Sequence, residues 1–442
     1  MRGIEAALKV LTSSELNTGK FASESLRKLA DREHMKAPDI TLASSLIYIV
    51  MRRKELWGKI AEKFIRAHEK LPDEVYMSMI IGTGGITELR RFSNGVLING
   101  IIEHLRKNKS LVKYAGLVNA VLRKVSENGE KLLNEIKTSN AIEERALYAG
   151  VPLWSLPAWF RTWSRSELFE LFDMMTQSTY SSLRVSPGHE DDVISILNEH
   201  EKAYPSDISP ALRLNQSVLP SSIPGFTEGK FTVQSESSII AASIVKRFYS
   251  GHGLILDMCS GRGIKAGQIL QENESSRLEC WELSEKRSKS AERELSRLNL
   301  IERAKLKTGD ALTLEPEELP SFIVLDAPCS CSGTWNRKPE SKWRLDWKKL
   351  DAFAITQKKL LERALNLCSS GGHVLYITCS LLKHENENVI AEVLASHSEC
   401  TEISSLIDLK GNAIRRGKPY GLYILPCNSW LDGFYCSLIM KR

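Results

Sequence analysis

Apolar residues in the first 140 positions recur at the spacing of amphipathic helices. Spacings of three and four run through two long segments, ITLASSLIYIVMRRKELWGKIAEKFI (40–65) and LVKYAGLVNAVLRKV (111–125). That period gathers apolar side chains on one face of an α-helix. No stretch here alternates in the way of a half-buried strand. The pattern therefore predicts an all-helical domain over residues 1–140.

The helical period weakens between residues 141 and 230. Proline ends helices and central strands because it lacks a backbone donor. Seven prolines interrupt this stretch: Pro152, Pro157, Pro187, Pro205, Pro210, Pro220 and Pro224. We expect short elements that form a small adaptor subdomain over residues 141–230.

Compact apolar runs alternate with helical stretches from residue 231 to residue 442. The runs are LILDMC (254–259), RLECWEL (277–283), KLKTGDA (305–311), FIVLDAP (322–328) and HVLYITC (373–379). This rhythm is typical of a parallel sheet with helical crossovers. The chain is thus predicted to be a multidomain protein of class α plus α/β, with a doubly wound sheet at its C-terminal end.

The composition is that of a globular protein. Of 442 residues, 42% are hydrophobic and 26% are charged, which excludes disordered, collagen-like and knottin classes. No run approaches the roughly 18 apolar residues of a bilayer span, and the first residues lack a signal-peptide pattern. We expect a cytoplasmic location and no membrane association. The nine cysteines form no CxxC pair, so we expect reduced thiols and no metal site.

Positive charge is concentrated in the N-terminal third. The first 150 residues hold 25 Lys and Arg against 18 Asp and Glu, whereas the whole chain carries +6. The remaining 292 residues therefore carry a net −1. An excess of this kind favours a polyanionic partner such as nucleic acid, and a solvated helical surface would explain it equally well.

A predicted strand, a glycine-rich turn and a helix follow one another in LILDMCSGRGIKAGQIL (254–270). Gly261 and Gly263 allow a tight turn and close approach of the backbone to a ligand. With Gly267, the spacing is G-x-G-x-x-x-G, which misses the dinucleotide fingerprint by one residue. Glu282 ends the next strand, where its carboxylate would accept hydrogen bonds from two ribose hydroxyls. Ser284 then occupies a helix N-cap position.

Further carboxylates end other predicted strands. Asp310 could accept a hydrogen bond from an adenine amino group, and Asp326 ends the strand FIVLD. Open α/β sheets bind ligands at this edge. Each of these residues and Asp257 could instead cap a turn, but together they predict a cofactor that contains a nucleoside.

Two cysteines also follow predicted strands, Cys329 in VLDAPCSCSGTW and Cys379 in VLYITCS. Successive strands of a doubly wound sheet are often neighbours, roughly 5 Å apart, so we expect the two thiols to converge over one pocket. The alternative is that both are small buried hydrophobes.

The chain resembles the RsmB (Sun/Fmu) family of RNA 5-methylcytosine methyltransferases. Segments resembling the catalytic domain are CSGRGIK (259–265), GDA (309–311), DAPCSCSGTWNRKPESKWR (326–344), TCSLLKHENE (378–387) and DGFYCSL (432–438). LPDEVYMSMIIGTGG and YAGLVNAVLRKV resemble its NusB-like N-terminal domain, and GKFTVQSESS resembles the entry to its catalytic domain. The resemblance implies a NusB-like bundle followed by a Rossmann-like methyltransferase domain.

The resemblance also implies roles for residues. Cys379 would be the nucleophile that adds to cytosine, Cys329 would assist proton removal and product release, and Asp326 and Lys265 would contact the cytosine or the cofactor. The cofactor would be S-adenosyl-L-methionine, bound by Cys259, Ser260, Gly261, Arg262, Gly263, Ile264, Lys265, Glu282, Asp310 and Asp326. Cys331 stands where the family usually has glycine, and we expect it to be passive. Glu385, Asn386 and Glu387 resemble the family's ENE, for which we expect helix capping or support of the active-site residues.

The implied partner is ribosomal RNA with a single-stranded or flipped-out cytosine, because a paired base hides carbon-6; no obligatory protein partner is predicted. Residues 141–230 would help to position this RNA. The segment TWNRKPESKWRLDW (334–347) suits single-strand binding, since tryptophans can stack on bases and cations can contact phosphates. Its candidates are Trp335, Trp343 and Trp347 with Arg337, Lys338, Lys342, Arg344 and Lys348. Trp343 could equally pack against the protein as part of a lid.

Three other functions remain open at this point. One is a transfer RNA methyltransferase with the same catalytic segments. Another is a non-catalytic RNA-binding or antitermination factor, which the retention of Cys329 and Cys379 argues against. A nicotinamide dehydrogenase is disfavoured because the glycine spacing is off and no acid–base residues accompany it.

Overall fold

The computed structural model describes residues 2–13, 22–65, 71–89, 92–177, 180–198, 203–206, 211–214, 222–409, 411–428 and 430–442. The chain divides into two compact units. The first comprises Met1–Thr176 and Trp335–Asp346, and the second comprises Gln177–Thr334 and Trp347–Arg442. Among the helices in the described ranges, none has the length and apolar character that crossing a bilayer takes.

The described part of the first unit is helical, as the sequence predicts. Its α-helices are α1 (Arg2–Leu11), α2 (Ala22–Arg32), α3 (Ala37–Glu62), α4 (Asp73–Glu88), α5 (Asn94–Lys107), α6 (Ala115–Lys137), α7 (Ile142–Ala149), α8 (Leu156–Thr162) and α9 (Arg165–Met175). Short 3₁₀ turns cover Val112–Tyr114, Leu153–Ser155 and Lys342–Arg344.

Helix α4 lies at the centre of this unit, and two of its glycines let neighbouring helices approach closely. A Cβ added to Gly82 would lie 2.5 Å from a methyl carbon of Leu122 on α6, and one on Gly85 would lie 2.5 Å from Leu97 on α5. Real Cβ atoms do not make contacts this short, so larger residues here would push the helices apart. The glycines thus set the spacing of the bundle core.

The helical unit continues past residue 140, where the sequence analysis places a boundary. Leu147 on α7 belongs to the same apolar core as α3 to α6. Ser164 and Glu167 form a capping box that starts α9, a local signal that satisfies two otherwise unpaired backbone donors. Prolines do shorten the elements here, since α8 begins with Pro157 in its first turn.

A small antiparallel sheet begins the second unit. Its strands are β1 (Ser182–Val185), β2 (Ala203–Pro205), β3 (Ala211–Leu214) and β4 (Phe231–Val233), in the order β2-β3-β1-β4. Helix α10 (Glu190–Asn198) packs on it around Leu183, Val193 and Phe231. This region corresponds to the C-terminal part of the predicted adaptor; Pro210 and Pro220 lie outside the described residues.

The larger sheet contains all five strands that the apolar runs predict. They are β5 (Leu254–Asp257), β6 (Arg277–Glu282), β7 (Ala304–Thr308), β8 (Phe322–Asp326) and β9 (His373–Thr378). They pair in parallel in the order β9-β8-β5-β6-β7. The accompanying helices are α11 (Glu236–Phe248), α12 (Ile264–Glu272), α13 (Glu285–Arg297), α14 (Trp347–Leu367) and α15 (Glu387–Leu394).

Antiparallel strands extend this sheet beyond β9, which the sequence analysis does not predict. They are β10 (Cys400–Glu402), β11 (Ile414–Arg416), β12 (Leu422–Ile424) and β13 (Phe434–Lys441). Strand β13 pairs with β9 along six residue pairs and carries β12 and β10. Three of these strands have only three residues each, too short for a periodic signal.

The direction of winding reverses between β5 and β8. The chain runs from β5 outward through β6 to β7, then returns to place β8 and β9 on the other side of β5. Adjacent crossovers therefore leave a crevice at the carboxyl ends of β5 and β8, which is where open α/β sheets bind ligands. Asp257 and Asp326, the last residues of these strands, flank that crevice.

Candidate active site

The glycine-rich turn joins β5 to α12 at this crevice. Gly261 and Gly263 have φ values of +60° and +76°, a region that residues with a Cβ rarely adopt. A Cβ on Gly263 would also lie 3.0 Å from the Cβ of Ala291. The Ser260 N–H donates to the Trp281 carbonyl at 2.9 Å, which ties the turn to β6. The predicted strand, turn and helix are confirmed.

Asp257 lies beneath the turn as a buried carboxyl group. It is 1% exposed, and none of the described residues supplies a hydrogen bond to its Oδ1. Burial raises the pKa of Asp257 to about 7, and the nearby charge of Asp326 acts in the same direction. A buried oxygen that lacks a donor is costly, so this atom suits a ligand that brings one.

The buried carboxyl makes the stability of the protein pH-dependent. Between about pH 4 and pH 7, folded Asp257 keeps a proton that the unfolded chain has lost, so the free energy of unfolding falls as pH rises. We expect Asp257→Asn to remove this pH-dependent contribution to the free energy of unfolding. For the shift in the pKa of Asp257, the contribution changes by about 3 kcal/mol between pH 4 and pH 7. Urea unfolding of both proteins from pH 4.5 to 7.5 tests it; parallel pH profiles would contradict the prediction.

Glu282 and Asp310 end the next two strands. Glu282 is 5% exposed, and its Oε1 accepts the Ser284 N–H at 2.8 Å and contacts Arg287 at 2.7 Å. Ser284 is the N-cap of α13, as predicted. Asp310 is exposed, and its Oδ1 accepts the Leu312 N–H at 3.0 Å. Asp310 therefore caps a turn in this structure, and its contact with an adenine remains a prediction.

Lys265 and Asp326 form an ion pair above the crevice. The Lys265 Nζ lies 2.5 Å from Asp326 Oδ2 and 5.7 Å from the centre of the Phe434 ring. Burial opposes the lysine charge, but the carboxylate of Asp326 outweighs it and raises the pKa of Lys265; the charges of Asp257 and Cys379 contribute in the same direction. Lys265 is therefore cationic, and its charge would stabilise a thiolate at Cys379.

The two thiols converge, as the sequence predicts. The Sγ atoms of Cys329 and Cys379 are 3.4 Å apart, because the residues follow adjacent parallel strands, β8 and β9. Hydrogen bonds with Cys331 and Cys379, together with burial, raise the pKa of Cys329 well above its ordinary value. Cys329 is thus a poor source of thiolate at neutral pH. None of the nine cysteines, all within the described ranges, forms a disulfide.

One buried carboxylate holds both cysteine loops. Glu385 accepts hydrogen bonds from Ser330, through its N–H at 2.7 Å and its hydroxyl at 2.5 Å, and from the Ser380 hydroxyl at 2.6 Å. These serines directly follow Cys329 and Cys379. Gln357 donates to the same carboxylate at 3.2 Å. Of the two roles expected for Glu385, the structure shows support of the active-site loops.

Asn386 and Glu387 extend this support. The Asn386 side chain accepts from the Thr378 hydroxyl at 2.7 Å and donates to the Ser380 carbonyl at 3.0 Å. Glu387 accepts from the Tyr423 hydroxyl at 2.6 Å, which links α15 to β12. The sequence signal for these contacts was the ENE tripeptide itself; spacing alone does not reveal which loops it joins.

We expect Glu385→Ala to destabilise the second unit by about 3 kcal/mol or more, because buried donors from Ser330 and Ser380 would lose their acceptor. Glu385→Gln is the matched control, since its carbonyl oxygen still accepts hydrogen bonds, and it should lose less. Urea unfolding monitored by tryptophan fluorescence measures the difference. A loss below about 1 kcal/mol in the alanine variant would show that water replaces the carboxylate.

Two glycines bring the C-terminal segment against the first cysteine loop. The Gly333 N–H donates to the Cys379 carbonyl at 3.0 Å, and the Gly433 N–H donates to the Gly333 carbonyl at 2.8 Å. A Cβ on Gly333 would lie 2.1 Å from the Gly433 carbonyl oxygen, so no larger residue fits. This contact explains why DGFYCSL belongs to the same site as the cysteines.

The segment predicted to bind a single strand belongs largely to the helical unit. Trp335 is 1% exposed and packs edge-on against Trp159, with ring centres 6.0 Å apart. Lys342 is 2% exposed and donates to the carbonyls of Arg52 and Gly150 at 2.6 and 2.5 Å. Burial lowers the pKa of Lys342 to about 7. The prediction of RNA contacts is therefore wrong for Trp335 and Lys342, whose burial withholds them from RNA.

Trp343 packs against the protein, which is the alternative that the sequence analysis leaves open for it. Its indole N–H donates to the Met51 carbonyl at 2.5 Å, and the ring packs on the helical core. Lys338 and Lys348 are exposed, and their contact with RNA stays a prediction, as do those of Arg337, Arg344 and Trp347. Cations and tryptophans alternate through the whole segment, so its sequence does not distinguish the buried residues from the exposed ones. Only their tertiary contacts do.

A parallel sheet with a glycine turn and acidic strand ends at its switch point, followed by an antiparallel extension, is the architecture of Rossmann-like methyltransferases. The family described as 16S rRNA methyltransferase RsmB/F matches residues 249–440, and the NusB family matches residues 4–127. Ribosomal RNA small subunit methyltransferase B of Salmonella paratyphi C is 32% identical over 335 residues, covering 74% of this chain and 73% of that protein. The chain belongs to the RsmB/F family of 16S rRNA methyltransferases.

Solved structures show the same fold. The crystal structure of PH0851 aligns with 100% of this chain and 98% of its own, with a TM-score of 0.76 at 22% identity. The crystal structure of NSun6 from Pyrococcus horikoshii with SFG aligns with 66% of this chain and 98% of its own, with a TM-score of 0.57 at 16% identity. The NusB-like helical domain and the methyltransferase domain that the sequence predicts are confirmed.

Proposed function

We propose that this protein methylates carbon-5 of a cytosine in 16S rRNA, with S-adenosyl-L-methionine as the donor and a covalent bond between Cys379 and the cytosine as intermediate. The observation that carries the proposal is the 3.4 Å separation of the Cys329 and Cys379 sulfur atoms beside the Lys265–Asp326 ion pair. A single thiol would serve addition alone, whereas two adjacent thiols can divide addition and release.

The crevice suits S-adenosyl-L-methionine. The glycine turn leaves room above its backbone, since a Cβ on Gly261 would meet its nearest neighbour, the Cys259 carbonyl oxygen, only at 4.0 Å. Glu282 contacts the Ser284 N–H and Arg287 through Oε1, and its Oε2 would accept hydrogen bonds from ribose hydroxyls. Asp257 offers its Oδ1, which receives no hydrogen bond from the described residues. NSun6 was solved with SFG, an analogue of this cofactor.

The ten residues predicted to bind the cofactor fall at this edge of the sheet. Seven form the turn and the start of α12, and Glu282, Asp310 and Asp326 end or follow β6, β7 and β8. When bound there, the cofactor supplies an electrophilic methyl group on a sulfonium centre. The glycine turn would orient the donor, and Asp326, fixed by Lys265, would hydrogen-bond the cytosine or the donor.

Cytosine carbon-5 needs activation because it is a poor nucleophile. The Cys379 thiolate would bond to carbon-6, and the electron pair displaced from the carbon-5–carbon-6 double bond would make carbon-5 nucleophilic. Carbon-5 then takes the methyl group. A base removes the carbon-5 proton, the double bond re-forms, and the bond from Cys379 to carbon-6 breaks to release the thiolate. Lys265 stabilises that thiolate before addition and after release.

Cys329 suits the second half of this reaction, in which the carbon-5 proton is removed and the product is released. Its raised pKa keeps the thiol neutral beside Cys379, so it does not compete as a nucleophile. Once Cys379 is bonded to carbon-6, its charge no longer raises the pKa of Cys329. Cys329 can then lose its own proton to solvent and accept the proton from carbon-5. The division of labour implied by the resemblance is therefore consistent with the electrostatics of the site.

The RNA would bind through both domains. The basic helical domain would add affinity that falls with salt without reading sequence, and the small sheet of β1 to β4 would help to position the strand. The names of the curated relatives and the NusB domain favour ribosomal RNA over transfer RNA. The cytosine must be unpaired or flipped out before Cys379 can reach carbon-6.

Incubation with methyl-labelled S-adenosyl-L-methionine and unmodified 16S rRNA transcript tests the proposal. Digestion to nucleosides should place the label in 5-methylcytidine. Unmodified transfer RNA is the parallel substrate and should remain unlabelled. Label in another nucleoside, or none while the cofactor binds in a separate binding assay, would overturn the cytosine-5 assignment; label in transfer RNA alone would overturn the ribosomal one.

A further inference from the structure

Three thiols, rather than two, meet at the end of the sheet. Cys331 joins Cys329 and Cys379, and the three sulfur atoms all lie within 4.8 Å of one another. They come from two segments, CSC after β8 and TCS after β9, which the Glu385 carboxylate holds together through Ser330 and Ser380. The cluster therefore sits on a fixed base, and each of the three residues is partly exposed.

The backbone at Cys331 adopts a conformation of unfavourable energy where it brings this third thiol to the others. Its φ is +58°, in the left-handed region, which costs a residue with a Cβ roughly 1 kcal/mol. The Cys331 Sγ contacts the Cys329 carbonyl oxygen at 3.6 Å. In the reaction proposed above, addition and release use Cys379 and Cys329. Cys331 has no step to perform, so its chemistry is unassigned.

We propose that Cys329, Cys331 and Cys379 form a binding site for a soft cation of the Zn²⁺ class, and that the bound ion masks the nucleophile. Bonds of about 2.3 Å from Zn²⁺ to thiolate sulfur place neighbouring sulfurs about 3.8 Å apart in a tetrahedral site. The observed separations, 3.4 Å between Cys329 and Cys379 and at most 4.8 Å within the cluster, bracket that value. Side-chain rotation alone would complete the geometry.

Binding of the ion releases protons. Each cysteine that still carries a thiol proton loses it to solvent as its sulfur bonds to the cation, and a water molecule completes the four ligands. Three thiolates and a divalent ion carry a net −1, and the Lys265–Asp326 ion pair is neutral, so the occupied site keeps this single negative charge. Because the protons must leave, affinity should rise with pH.

The masking follows from the proposed function and rests on it. The Cys379 lone pair that would add to carbon-6 would be shared with the metal, so an occupied site could not start the reaction. Removal of the ion restores the thiolate without any change of oxidation state. The site would thus couple methyl transfer to the availability of soft metal ions.

Titration of the full-length protein with Cd²⁺, in a reductant that contains no thiol, tests the binding directly. Cd²⁺ stands in for Zn²⁺ because thiolate ligation produces an ultraviolet charge-transfer band. We expect one equivalent to saturate the band in the wild type. Cys331→Gly should bind at least about tenfold more weakly, since one of three thiolates is lost while the left-handed backbone is relieved. Cys427→Ala, which removes a half-buried thiol elsewhere in the same unit, should match the wild type.

The outcomes separate this inference from the proposed function. The absorbance requires neither RNA nor S-adenosyl-L-methionine, so it does not depend on whether cytosine is methylated. An absent band, or equal affinity in Cys331→Gly and the wild type, would overturn the site. If the band forms but Zn²⁺ leaves the rate of methyl transfer unchanged, masking is overturned; inhibition that a chelator reverses, and that is weaker in Cys331→Gly, supports it.

Discussion

Replacement of Cys379 by alanine is expected to abolish methyl transfer, with kcat/KM falling by about 10⁴-fold or more. Without the sulfur atom nothing adds to carbon-6, and carbon-5 stays too electron-poor to accept the methyl group. The rate of label transfer from S-adenosyl-L-methionine to 16S rRNA measures the effect. Binding of the cofactor should change little, because the carboxylates and glycine turn at the ends of β5 and β6 remain intact.

Cys427→Ala is the matched control for this loss. Cys427 is another half-buried cysteine of the second unit, outside the thiol cluster, and its replacement should leave the rate within about threefold of the wild type. Cys379→Ser should also be inactive, since a hydroxyl is far less nucleophilic than a thiolate at neutral pH. A Cys379→Ala rate within tenfold of the wild type would end the assignment of the nucleophile.

Replacement of Cys329 by alanine is expected to trap the protein on its RNA. Addition by Cys379 and methyl transfer would proceed, but the carbon-5 proton would have no base and the bond to carbon-6 would persist. The adduct should survive denaturing electrophoresis as a slow band that contains both RNA and protein. Multiple turnover should fall by about 10²-fold or more, the usual range for loss of a general base.

The double variant Cys329→Ala/Cys379→Ala separates a trapped intermediate from non-specific crosslinking. It should give no slow band, because the bond that is trapped starts at the Cys379 sulfur. A band that persists in the double variant would place the adduct on another residue. Normal product release by Cys329→Ala would assign proton removal elsewhere, and Asp326, paired with Lys265 at 2.5 Å, would become the next residue to test.

The central strands were predictable because each is a compact apolar run ended by a polar turn residue. In β5, β6, β8 and β9 most residues are buried, and burial on both faces of a parallel sheet requires such runs. The glycine turn was predictable for a steric reason, since only residues without a Cβ accept its backbone angles. Convergence of Cys329 and Cys379 followed once their strands were taken as neighbours.

The residues around the thiols were less accessible to sequence reasoning. Glu385 reads as one more acidic residue near a helix start, although it joins two loops whose cysteines are 50 positions apart. Trp335 and Lys342 read as ligands for RNA because their types are those that bind it, yet both are buried in the helical unit. Residue type gives the capacity for an interaction, whereas the partner is set by the fold.

The sequence by itself determined the helical and sheet domains, the edge of the sheet that carries the chemistry, and the two cysteines that share it, because hydrophobic periodicity and the residues that end each apolar run are local properties. Only the tertiary structure decided how far the helical unit extends, which cations are withheld from RNA, and that Glu385 supports both cysteine loops. It also decided that Cys331 completes a cluster of three thiols. Each of these depends on contacts between residues distant along the chain, and such contacts leave no periodic trace in the sequence.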